Sequence, residues 1–157
     1  MQPIKNDRPI YLSIDASTIG VGGAVSQFGD DAKSVHECAY ISFATTDTQR
    51  RWNAYQLEFL ALGLCLRQYE TVFLQSYLTV FTDNAVVAAI QNYKPLNNTE
   101  RRLIAYISQF SMTLRYLPGR KTQSPTVCHA LAKTSKKRTS LNLFHPRNYM
   151  IRSLFCL

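Results

Sequence analysis

Ten carboxylates are spread over 157 residues, and three of them sit where a lone acid needs explaining. Asp15 closes the apolar run Ile10-Tyr11-Leu12-Ser13-Ile14, and Asp83 closes the run from Tyr77 to Thr82. Two strands that each deliver an Asp at the carboxyl end set both side chains side by side if the strands are neighbours. Ligand sites of open α/β sheets lie at that edge. Glu58 stands in Gln56-Leu57-Glu58-Phe59-Leu60-Ala61, at the start of a segment apolar for the next eight residues. An ionised Glu beside such a face costs free energy unless something positive meets it. Each acid also has an ordinary reading: a turn former for Asp15, a helix cap for Asp83, a dipole-favoured Glu near a helix N-terminus for Glu58. The three settings together point elsewhere. Carboxylates converging on one spot repel one another, divalent cations offset the repulsion, and hard oxygen ligands select Mg²⁺ or Mn²⁺ over zinc. Two such ions about 4 Å apart activate a water and stabilise a leaving oxygen in phosphodiester hydrolysis. The residue types thus suggest a metal-dependent nuclease.

The elements that must position these acids can be read in order. Residues 10–14, 20–27 and 35–43 are strand-like and joined by short links, which predicts an antiparallel meander. A helix is expected over 53–69, apolar almost all round from Phe59 to Leu66 and therefore buried. A fourth strand follows at 77–82, then a helix at 85–92 broken by Lys94-Pro95. A third helix opens near Thr99, with Thr99 as its expected cap. A fifth strand covers 112–116 and ends at Pro118-Gly119, and a short last helix is expected over 126–133. This pattern is a mixed sheet with helices packed on it, an α/β domain over 10–133 with a lead-in at 1–9 and a basic tail at 134–157.

Charge is placed unevenly. Residues 1–100 hold seven basic and ten acidic side chains; residues 101–157 hold eleven basic and none acidic. A region with that many cations and no carboxylate suits a polyanion, and phosphate backbone is the commonest. Cys38, Cys65, Cys128 and Cys156 form no C-x-x-C pair and read as reduced thiols, which with three scattered His argues against structural zinc. No apolar run reaches the roughly 18 residues of a membrane span, and the N-terminus lacks a secretory h-region. An intracellular, cytoplasmic or nuclear setting without a membrane partner is the expectation.

Asp15-Ala16-Ser17, Gly20-Val21-Gly22 and Ser26-Gln27 together resemble the first-strand motif of the ribonuclease H domain of gypsy-type LTR retrotransposons. Trp52 matches the aromatic six residues before that family's catalytic Glu, and Glu58-Phe59-Leu60-Ala61 looks like its Glu-Leu-Leu-Ala segment. Thr82-Asp83 matches its Thr-Asp, and Tyr116-Leu117-Pro118-Gly119 its Tyr-x-Pro-Gly. The resemblance implies a ribonuclease-H-like five-stranded mixed sheet of order 3-2-1-4-5 with helices on both faces. It implies two metal ions, Mg²⁺ or Mn²⁺, held by Asp15, Glu58 and Asp83, with a reverse transcriptase domain in the parent polyprotein. Related integrases and transposases place their Glu last, whereas here it comes second and no acid follows Glu100.

One departure matters. The family's fourth acid, in Ala-Asp-Ala-Leu, is replaced in Cys128-His129-Ala130-Leu131 by His129. A neutral imidazole binds a divalent ion but carries no charge and suits Mn²⁺ better than Mg²⁺. Three readings follow: His129 is a working substitute with altered metal preference, activity survives weakly on the other three acids, or the module is catalytically silent and binds nucleic acid or a protein partner. The substrate the resemblance implies is an RNA/DNA hybrid, in which only one strand bears 2′-hydroxyls. Arg101, Arg102, Arg115, Arg120 and Lys121 are the candidates for phosphate contacts.

Overall fold

The computed structural model describes residues 2–31 and 34–118. Strands β1 (Ile10–Ala16), β2 (Gly20–Phe28) and β3 (Val35–Ala44) form the expected antiparallel meander. Helices α1 (Ala54–Gln68) and α2 (Glu70–Phe73) lead into β4 (Leu78–Thr82). Then come α3 (Ala85–Ala88), α4 (Asn98–Ile107) and β5 (Met112–Tyr116). The sheet order is β3-β2-β1-β4-β5, as expected, with β4 and β5 parallel to their neighbours. Among the described residues no helix is long and apolar enough to cross a membrane.

The period-two pattern of β1 puts Ile10, Leu12 and Ile14 on one face, each essentially inaccessible to water. They form a single core with Leu78 and Val80 of β4, Leu62 and Leu66 of α1, Phe73 of α2, Val87 of α3, and Tyr106 and Ile107 of α4. α1 is buried without a break from Leu57 to Gly63 because it lies between the sheet and α4. Two glycines permit that close packing. A Cβ at Gly23 would stand 2.7 Å from the Ser13 carbonyl oxygen and 3.0 Å from Cys65 Sγ; one at Gly63 would stand 2.5 Å from Leu103 Cδ1. The opposite face of the sheet carries a smaller cluster, Phe81 and Leu117 with Tyr11, Phe28 and Val35 around them.

Two local expectations need correction. The helix over 85–92 is instead the four-residue α3 followed by a 3-10 turn at Ile90–Asn92. The cap of α4 is Asn97 rather than Thr99, its Oδ1 accepting from the Glu100 N–H at 2.8 Å. After α1, Glu70–Phe73 adds a helical turn that buries Phe73. The expected helix over 126–133 and the tail from 134 lie outside the described residues, as do Arg120, Lys121 and His129.

Candidate active site

The parallel pairing of β1 with β4 aligns Ser13 with Phe81. Asp15 lies two residues beyond Ser13 and Asp83 two beyond Phe81, so both acids stand at the carboxyl ends of neighbouring strands. Both side chains are exposed. Neither does the ordinary job open to it. The turn after β1 is made by Ser17, whose N–H donates to the Gly20 carbonyl at 2.8 Å and whose hydroxyl donates to it at 2.9 Å. The cap of α3 is Asn84, whose Oδ1 accepts from the Val86 N–H at 3.0 Å. Asp15 accepts locally from the N–H of Ala16 at 3.0 Å.

Glu58 comes to this edge from the other direction. It lies on the buried side of α1 and is 3% exposed. Thr82 Oγ1 donates to its Oε2 at 3.0 Å. Thr82 is the chain neighbour of Asp83, and the charges of both Asp83 and Asp15 act on the Glu58 carboxyl, so it lies close to the two strand ends. Thr82 is itself fixed: it has no exposed surface, and its hydroxyl accepts from the Asn84 N–H at 3.1 Å. Burial pushes the Glu58 carboxyl up to about 7; the Thr82 hydroxyl opposes this, and the charges of Asp83 and Asp15 add to it.

The three sequence-predicted acids therefore share one edge and feel one another. Among the described residues, however, no three His, Cys, Asp or Glu side chains are gathered into a ready metal cage. Two of the acids point to water and the third is buried close to the strand ends. The donor chemistry fits a hard divalent cation: oxygen ligands only, with excess negative charge that a cation relieves. The side chains would have to draw together to hold it. Beside Asp15 the sheet face opens into a cavity of about 390 Å³ lined by Ser13, Gly20, Gly22, Ala24 and Ser42. Gly22 pairs with Asp15 across β1 and β2, and a Cβ there would run into the Ile41 carbonyl oxygen.

Of the basic residues, Arg101 and Arg102 are exposed near the start of α4, and Arg115 is half-buried on the edge strand β5. Two polar residues that matter were not singled out by sequence reasoning. Thr82 figured only as a partner of Asp83 in a motif, and its buried bond to Glu58 is non-local. Glu100 is 5% exposed and accepts from Gln56 Nε2 at 2.7 Å, Tyr93 OH at 2.9 Å and the Leu96 N–H at 2.8 Å. Burial pushes its carboxyl up, but these hydrogen bonds outweigh burial and hold it below the usual carboxylate range. The local signal available was Asn97-x-x-Glu100, a capping pattern.

A family model described as the RNase H-like domain found in reverse transcriptase matches residues 5–112. A retrovirus-related Pol polyprotein from transposon opus of Drosophila melanogaster is 26% identical over 136 residues. That match takes in 86% of this chain but only 13% of the polyprotein. Among solved structures, a foamy viral protease-reverse transcriptase in complex with double-stranded DNA superposes with a TM-score of 0.59 at 17% identity, over 74% of this chain and 25% of that one. The same viral protein in complex with an RNA/DNA hybrid gives 0.54 at 14% identity, over 93% of this chain and 18% of that one. The N-terminal RNase H domain of rv2228c from Mycobacterium tuberculosis gives 0.52 at 16% identity, over 73% and 90%. At these identities the structural likeness speaks to the fold.

Proposed function

The chain belongs to the RNase H-like domain family of reverse transcriptases, and from that membership we propose that it is a metal-dependent endonuclease hydrolysing the RNA strand of RNA/DNA hybrids during retroelement reverse transcription. The observation that carries this reading is Glu58. A carboxylate 3% exposed, bonded to Thr82 and repelled by Asp15 and Asp83, is a liability in a domain that only folds. It makes sense where a cation completes the site.

The ligands in this reading are Asp15, Glu58 and Asp83, with His129 in the place of a fourth acid; the chain is of the gypsy-type LTR class and works beside a reverse transcriptase domain. Two Mg²⁺ or Mn²⁺ ions, when bound, would supply Lewis-acid activation of water and neutralise charge on the leaving oxygen. The chain's own residues do the rest. Asp15 and Asp83 present their oxygens to the phosphate side, where solvent and substrate arrive. Glu58 is held from behind by Thr82, so it cannot swing to water as its charge develops. The cavity beside Asp15, lined by small residues, lets a sugar-phosphate backbone approach the sheet edge. Arg101, Arg102 and Arg115, with Arg120 and Lys121, offer cations to the phosphates of the hybrid. Water attacks phosphorus, the bond to the 3′-oxygen breaks, and the products are a 3′-hydroxyl and a 5′-phosphate.

A second reading is favoured by one observation, His129 where an acid is expected: a catalytically silent module that still binds nucleic acid or a protein partner. A labelled RNA/DNA hybrid incubated with excess protein, first in Mg²⁺ and then in Mn²⁺, separates the two. Cleavage abolished by Asp83→Asn and raised by His129→Asp is the expected result. Tight hybrid binding with no cleavage in either ion overturns the nuclease reading.

A further inference from the structure

We infer that Glu100 is a positioning residue that clamps the first turn of α1 through Gln56 and so sets where Glu58 stands; the inference rests on the functional reading of Glu58 given above. Successive helix residues turn by about 100°, so Gln56 and Glu58 lie on opposite sides of α1. Glu58 meets the sheet edge through Thr82. Gln56 meets α4 through Glu100, its Nε2 donating to Oε1 at 2.7 Å. The same Gln56 closes the start of α1, its Oε1 accepting from the Asn53 N–H at 2.9 Å while its own N–H donates to the Asn53 carbonyl at 3.0 Å. The other oxygen of Glu100 takes the Tyr93 hydroxyl and the Leu96 N–H, which ties the clamp to the loop ahead of α4.

The clamp answers a specific need. Glu58 is one turn inside α1, and first turns fray when nothing holds them. Asp15 and Asp83 repel Glu58, so relaxation of that turn would carry its carboxylate away from the strand ends. Gln56 cannot move without breaking either its cap bond or its bond to a nearly inaccessible carboxylate. Glu100 therefore opposes the repulsion from behind the helix, without touching the reacting groups.

The donor pattern makes the idea testable by exchanging the two side chains. Glu100→Gln leaves an NH₂ facing the Gln56 NH₂ or the Tyr93 and Leu96 donors. Gln56→Glu sets two carboxylates against each other. The double variant Gln56→Glu/Glu100→Gln satisfies every group again, since Gln at 100 donates to Glu at 56 and keeps its oxygen for Tyr93 and Leu96. Mn²⁺ affinity is read from paramagnetic broadening of the amide signals of residues 15, 58 and 83 in the full chain, with kcat and KM on a hybrid as the second measure. Each single variant is expected to weaken Mn²⁺ binding roughly tenfold, the cost typical of a lost outer partner, and to lower kcat with little change in KM. The exchanged pair is expected to return to within about twofold of the parent chain, a coupling that independent sites do not show. Tyr93→Phe, which leaves the Gln56 bond intact, guards against a variant that misfolds and is expected to have the smaller effect. An exchanged pair no better than the worse single variant overturns the clamp. A parent chain whose signals ignore Mn²⁺ overturns the functional reading, and the clamp with it, without any variant being made.

Discussion

Replacing Glu58 with Gln is expected to make the protein more stable above neutral pH and to leave it unchanged in acid. The carboxyl titrates near 4.5 when unfolded and is pushed up to about 7 in the fold, chiefly by burial and then by Asp83 and Asp15. Below the unfolded value both states are protonated and the fold bears no penalty. Between about 4.5 and 7 the unfolded chain has released a proton that the fold retains, so stability declines as pH rises. Above 7 the fold holds a buried carboxylate and the full penalty is present. At about 1.4 kcal/mol per pKa unit the ceiling is about 3 kcal/mol, or roughly 6–12 °C in Tm for a chain of this size. Gln keeps an oxygen for the Thr82 hydroxyl and carries no charge. Urea or thermal melts of both chains at pH 4, 6 and 8 give the test, since every other titrating group is common and cancels in the difference. The gap between variant and parent should open from near zero to about 3 kcal/mol, and millimolar Mn²⁺ should narrow it by stabilising the parent alone. A gap that does not vary with pH, or a variant weaker than the parent at pH 8, would falsify the account of Glu58.

Thr82→Val removes the donor to Glu58 and should cost roughly 1–3 kcal/mol at pH 8, with a smaller loss at pH 4; equal losses at both values in urea melts would count against the pairing. Gly22→Ala drives a Cβ into the Ile41 carbonyl oxygen and should destabilise by roughly 1–3 kcal/mol or more, so a variant melting with the parent would show that β2 and β3 have room to part. Removing Arg101 and Arg102 together should reduce the salt dependence of hybrid binding by about 0.7–0.9 in log–log slope for each phosphate no longer neutralised. Anisotropy titrations across a salt series measure this, and an unaltered slope would remove both residues from the interface.

The sheet was legible because its signals are local and repeated. Ile10, Leu12 and Ile14 alternate with period two, and the glycines after Asp15 mark where β2 must approach both β3 and α1 closely. α1 was legible for the opposite reason: an apolar run too long for a strand and apolar on nearly every side must be buried on nearly every side. The misread positions are those where one turn is decided by a single hydrogen bond. Asn97 and Thr99 are both competent caps by type, and the cap falls on Asn97 because its side chain takes the N–H of Glu100 three residues on. The helix at 85–92 fails because Val86 and Val87 are weak helix formers and the segment leaves the helix after four residues.

The acids divide along the same line. Asp15 and Asp83 could be picked out because each ends an apolar strand, and a parallel pair of neighbouring strands brings like positions together. Glu58 could be picked out because its charge contradicts its surroundings. Glu100 contradicts nothing locally: it sits three residues after an Asn at a helix start, where an acid is commonplace. The packing of α4 on α1 brings in Gln56, 44 positions earlier in the chain, and with Tyr93 and Leu96 from the loop ahead of α4 this makes Glu100 a buried carboxylate with three donors. Its charge is stabilised where that of Glu58 is strained, so the two behave as opposites although both are buried. Glu100 stays ionised because donors surround it; Glu58 is held half-protonated near neutral pH because burial and two like charges work against its anion. A cation bound at the sheet edge would bring Glu58 into the state Glu100 already has, and that asymmetry is the physical basis for assigning one acid to chemistry and the other to support.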